Sequence, residues 1–170
     1  MQRELKLRQR IRALTTIFIV GLVISGATAI PVVPAVDWLV NVSGAKELVR
    51  PGGAPAASRA EWLTRVQASL HSVADHHPFL FYGTDWLAFG HFVIALAFTG
   101  AIRDPVRNNW LFTFGMIACV LVVPYALIFG AIRGIPMWWR LIDCSFGVAG
   151  IIPLWLCRIW SRELEARQTG

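Results

Sequence analysis

The sequence predicts an all-α integral membrane protein, a four-helix bundle forming one membrane domain over residues 1–170. Three observations carry that prediction. The chain is 56% hydrophobic and 15% charged, with mean hydropathy +0.57, which is far more apolar than a soluble domain of this size. Uncharged runs long enough to cross a bilayer recur along it. Basic residues flank those runs: ten of the sixteen Lys and Arg fall within 3–12, 103–107 and 158–167, as the positive-inside rule requires. The same placement accounts for the net charge of +6 without nucleic acid, so no nucleic-acid partner is expected.

The first span is expected over 13–36. Its 24 uncharged residues would cover roughly 36 Å as a helix, against a hydrocarbon core of about 30 Å. The basic residues before it put the N-terminus on the cytoplasmic side. An alternative is a cleaved signal peptide, since Ala27–Thr28–Ala29 has the A-x-A form of a cleavage site. The apolar run continues past that point through Ile30 to Val36, which favours a retained span.

Residues 37–78 are expected on the outer side. The stretch SGAKELVRPGGAPAAS reads as a loop. A short amphipathic helix should follow, opened by a Ser58–Glu61 capping box, with Trp62, Leu63, Val66, Leu70 and Val73 on one face. It would lie on the membrane interface or pack over the bundle ends. The second span is expected over 79–102. A cytoplasmic turn, RDPVRNN, places Asp104 as an N-cap and Pro105 as a first helical residue. The third span, 108–132, carries no charge and contains Pro124; the fourth, 136–160, contains Pro153. A polar cytoplasmic tail ends the chain. Tryptophans 38, 86, 110, 138, 139 and 160 fall near the expected interfaces, as in an aromatic belt.

The fourth span begins against expectation, with Arg140 and Asp143 inside it. Only 14 uncharged residues separate Asp143 from Arg158, about 21 Å of helix, so the span must carry these charges in its outer half. Asp85 lies 18 residues from Arg103, and Arg140 lies 18 residues from Arg158. Both helices run outside to inside, which puts Asp85 and Arg140 at one depth. Intramembrane charges cost roughly 2.5–3.5 kcal/mol each on insertion scales unless paired or hydrated. A polar cluster of Asp85, Arg140 and Asp143, with Arg133 nearer the surface, is therefore expected. It would either staple two helices or bind a small polar ligand, an ion or a lipid headgroup. His91 falls near mid-bilayer and is read as a core histidine bonded to a neighbouring helix, with a proton relay as the alternative.

Other chemistry is poorly supported. HSVADHH resembles part of a desaturase histidine motif, but the chain has four histidines, too few for that diiron chemistry. His71, His76 and His77, with Asp75, are weak metal candidates without zinc spacing. A haem would need a second axial ligand opposite His91, and only Met116 offers one. Cys119, Cys144 and Cys157 form no C-x-x-C pair and read as small buried hydrophobes. No cofactor is expected, and no hydrolase, P-loop or dinucleotide-binding motif occurs.

Three segments, FLFYGTDWLAFGHFVIA, RDPVRNNW and RGIPMWWRLIDCSFG, resemble those of a family of small bacterial multi-span membrane proteins. The resemblance covers roughly residues 78–155. It implies a plasma-membrane location and brings no activity and no catalytic residues. The expected function is a non-enzymatic accessory subunit or a lipid- or small-ligand-binding membrane protein. The expected partners are the bilayer and either another membrane protein or further copies of the chain. The alternative is a small membrane enzyme or proton-coupled transporter using His91 and the carboxylates.

Overall fold

The computed structural model describes residues 2–49 and 55–169, with backbone alone at 55–57 and 169. Among them every regular element is helical: α1 Gln2–Ala29, α2 Val32–Ser43, α3 Ala45–Leu48, α4 Pro55–His76, a 3₁₀ turn Pro78–Phe81, α5 Tyr82–Arg103, α6 Asn109–Ile132 and α7 Met137–Thr169. Four stretches are long and apolar enough to cross a membrane: Gln2–Ala29, Pro78–Arg103, Asn109–Ile132 and Met137–Gln168. The chain is an all-α membrane protein. Leu96, Trp110, Ile117, Phe146 and Val148 are exposed, as lipid-facing side chains are.

The boundaries differ from expectation in four places. The first span ends at Ala29, and the apolar residues after it form a separate helix, α2, that starts beyond Pro31. Proline has no N–H to continue the ladder, so the run divides there. The expected loop is helical on both sides of 50–54, and those five residues lie outside the described set. Because α4 is already formed at Pro55, Ser58 sits inside its first turn rather than ahead of it as a cap. Proline suits a first helical turn, and two alanines extend it. Finally, α7 continues nine residues past Trp160. Its polar end is held by Glu163, which pairs with Arg3 at 3.1 Å and with Arg167 at 3.0 Å.

The contacts divide the chain into two units, one made of residues up to Leu22 and from Ile94 onward, the other of Val23–Val93. The first is built on an antiparallel α6–α7 hairpin. Gly134 makes the turn with φ +68°: its N–H and that of Ile135 bond to the carbonyls of Ala131 and Gly130. This is a Schellman closure, which needs a left-handed residue. Below the turn, Gly130 faces the Arg140 stem, the Cys144 thiol reaches the Val123 carbonyl, Gly147 meets Cys119 and Gly115 meets Leu154. These pairs fix one register along the hairpin. A Cβ on Gly147 would stand 2.5 Å from the Cys119 carbonyl oxygen, and one on Gly150 would stand 2.8 Å from the Cys119 sulfur. Small residues let the two backbones approach this closely. Leu7, Ile11, Phe98, Phe112, Leu154 and Leu164 complete the core of this unit. All three cysteines are free and buried.

Polar contacts tie the helix ends of the same unit. Asp104 does not cap α6. Its carboxylate accepts from the Arg107 N–H inside the turn, and α6 begins five residues later. Asn108 turns back and donates to the Gly100 and Asp104 carbonyls. Arg12 donates to the Ile102 carbonyl at 3.1 Å and Ser161 to the Pro105 carbonyl at 2.6 Å. Carbonyls left over at the end of α5 are thus satisfied by side chains.

In the second unit, α4 packs on α2 and α3 through Val40, Ala45 and Ala60, with Val36 and Leu63 against them. The face predicted from periodicity is half-buried, and its partners here are α2, which straddles the expected boundary between span and outer segment, and α3, which lies in the expected loop.

The hairpin makes glycine at 147 a steric requirement. Gly147→Ala is expected to destabilise by about 1–3 kcal/mol, as overpacking does. Gly90→Ala, where nothing lies within 4 Å of the added carbon, should be neutral or slightly stabilising. The midpoint of unfolding in increasing dodecyl sulfate, followed by circular dichroism, separates the two.

Candidate functional site: a carboxylate in the α6–α7 groove

A shallow, open groove runs along one face of α6 beside the start of α7. Its volume is about 770 Å³, and its lining includes Leu121, Tyr125, Phe129, Arg133, Ile135 and Asp143. The α6 residues recur every three or four positions, so they form one stripe along the helix. Its walls are apolar: Leu121, Tyr125 and Phe129 are all exposed, and the Tyr125 and Phe129 rings pack 4.5 Å apart. Arg133 stands at the end of the stripe, and Asp143 enters from α7.

The hairpin register places these charges in depth. Cys144 reaches the Val123 carbonyl, so Asp143 lies level with Val123 and Pro124. That is roughly 14 Å along the axis from Arg133 and about 5 Å from the middle of α6. Among the described residues Asp143 makes no ion pair. Its nearest sequence-predicted partner is turned away: Arg140 Nη1 donates to the Leu127 carbonyl at 3.1 Å, its stem lies on Gly130, and its Nε is buried without a partner. An unpaired carboxylate at that depth costs about 2.5–3.5 kcal/mol on insertion scales.

The predicted cluster of five does not gather within either unit. Arg133, Arg140 and Asp143 share the first unit without pairing. Asp85 and His91 belong to the second. Asp85 is exposed on the first turn of α5, and His91 Nδ1 donates to the Leu87 carbonyl at 2.8 Å. The expected bond from His91 to a neighbouring helix is replaced by one within its own helix, which fixes Nδ1 as the protonated nitrogen of the neutral ring.

The second unit carries a polar clamp that the sequence reading missed. Asp37 of α2 accepts from Gln67 Nε2 at 2.7 Å and lies 2.9 Å from His71 Nε2. Gln67 and His71 are four residues apart and share a face of α4. Bonding to Gln67, then to His71, holds the Asp37 carboxyl below its ordinary value of 3.8. His71 is therefore engaged by a carboxylate, and His76 faces the Ser72 carbonyl of its own helix. Among the described residues no three of His, Cys, Asp and Glu come together as a metal site. Met116, considered above as an axial ligand opposite His91, packs against the core of the first unit.

No family model, curated protein or solved structure matches the chain.

The clamp has a signed pH dependence. A carboxyl whose folded value is depressed stabilises the folded form above its unfolded value, and that contribution disappears as pH falls through the folded value. The α2–α4 contact should hold from neutral pH to about 4 and loosen below 3.8. Asp37→Asn should speed amide exchange across 58–76 at neutral pH and flatten its acid dependence. Hydrogen exchange read by mass spectrometry measures both.

Proposed function

We propose that this chain is a non-enzymatic membrane protein that acts by binding within the bilayer, as an accessory subunit or as a binder of a lipid or small ligand. The binding surface in this reading is the α6–α7 groove. The observation that carries it is Asp143, an intramembrane carboxylate that opens on an apolar groove and has no ionic partner among the described residues. Ionisable groups inside membranes are expensive and mark functional sites. Arg140, by contrast, is held within its own hairpin by the bond from Nη1 to the Leu127 carbonyl.

The alternative, an enzyme or proton-coupled carrier, has less support. The Nδ1 of His91 is engaged by its own helix. The one polar side chain between it and the end of α5 is Thr99, whose hydroxyl donates to the Leu96 carbonyl. Neither is left free as a relay. The distribution of Lys and Arg supports a topology with both termini cytoplasmic, and the bacterial inner membrane is the compartment proposed.

Native mass spectrometry of the protein in mild detergent tests the reading. A reproducible added mass that is lost in Asp143→Asn, at unchanged helix content, is the expected result. Bare protein in both forms, in detergent and in lipid nanodiscs, would count against the groove as a binding surface.

A further inference from the structure

We propose that the occupant of the α6–α7 groove is a transmembrane helix of a different protein, carrying a lysine or arginine that pairs with Asp143. The inference rests on the reading of the groove as a binding surface and names what fills it. Three features separate a helix from the other occupants.

The first is depth. Asp143 lies roughly 14 Å inward from the Arg133 end of α6, by the register set at Cys144 and Val123. A phospholipid keeps its charged groups at the bilayer surface and puts acyl chain at that level. Its headgroup could meet Arg133, but its chain would face the carboxylate. A helix can bring a side-chain cation to any depth. The second is shape. The groove lining on α6 runs from Ala118 to Arg133, about 22 Å of helix axis, so a neighbouring helix could follow it for some four turns. The lining includes Ala118 and Ala126, and small residues allow close approach. The third is charge. Within the four candidate spans, between their flanking basic ends, the bases are Arg140 and His91. Arg140 is committed to the Leu127 carbonyl of its own hairpin, and His91 donates to Leu87. A second copy of this chain would have to draw Arg140 off its own hairpin to offer a cation, whereas a different helix with one buried base completes the site as it stands. Paired intramembrane charges are the tolerated arrangement.

The test uses the full chain in phosphatidylcholine vesicles with a synthetic Leu/Ala transmembrane peptide bearing a dansyl acceptor. One peptide carries a single lysine about 12 Å from its outer end, one carries leucine there, and one carries the lysine at the interface. Energy transfer from the protein's tryptophans reports association. The deep-lysine peptide is expected to associate at least tenfold more strongly than the other two. Asp143→Asn should reduce it to their level. Ala126→Leu, which fills the groove and keeps the carboxylate, should weaken it as well, so the proposal does not hang on one variant. Equal association of all three peptides would overturn it, as would an unchanged preference in both variants. Cross-linking of the protein alone into Asp143-dependent dimers would also overturn it, in favour of a second copy. A lipid mass that Asp143→Asn removes, with no peptide preference, would overturn the helix and leave the groove as a lipid site. Absence of both would remove the groove reading as well.

Discussion

The close approach of α6 and α7 is the constraint from which the rest of the first unit follows. Lipid offers no hydrophobic drive for one helix to leave it for another, so the hairpin depends on contact at short range. Glycines at 115, 130, 147 and 150 provide that contact. They also set the register, and the register sets the depth of every charge on α7. Arg140 can lay its stem across α6 because Gly130 has no side chain there. Its guanidinium then meets the Leu127 carbonyl and is no longer available to Asp143. The unpaired, half-buried carboxylate in the groove is thus a product of how tightly the hairpin packs. Two charges three residues apart on one helix end in different environments, one engaged by its own bundle and one facing outward.

The spans and the odd charges were legible in the sequence, because length, hydropathy and the spacing of charged residues are local properties. The third span was legible almost to the residue, since charged or turn-forming residues bound it on both sides. The fate of the charges was not legible. Counting from Arg103 and Arg158 gave depth along each helix, but pairing depends on azimuth and on which neighbour gives way. Nothing local to Arg140 shows that a glycine ten residues upstream would receive its stem. The same limit hid the Asp37 clamp, whose partners lie 30 and 34 residues away. His71 drew notice for the metal chemistry of histidine clusters, and the structure pairs it with the carboxylate of Asp37, the first residue of the expected outer segment. At Ser58 a familiar local motif was present, and the helix simply began earlier, at a proline.

The two units are held by different physics. The first relies on dry packing of small and aromatic residues, with Phe18, Phe98 and Phe112 forming tilted ring contacts. The second combines a small apolar cluster around Val40 with the clamp at Asp37. Packing of the first kind is indifferent to pH and salt, whereas a partly solvated carboxylate contact responds to both. A change of conditions outside the membrane would therefore act first on α2 and α4.

The contacts between the opening residues of α1 and the closing residues of α7 constrain the order of assembly. The Cys157 thiol reaches the Ile11 carbonyl across 146 positions, and Arg3 pairs with Glu163. The α6–α7 hairpin can form as soon as its own residues are inserted. The packing of α1 is completed only once α7, more than a hundred residues later in the chain, has emerged. Until then Leu7 and Ile11 lack the core neighbours they have in the folded chain. Loop-closure entropy makes such distant contacts slow to form, so the docking of α1 onto α7 follows the closing of the α6–α7 hairpin.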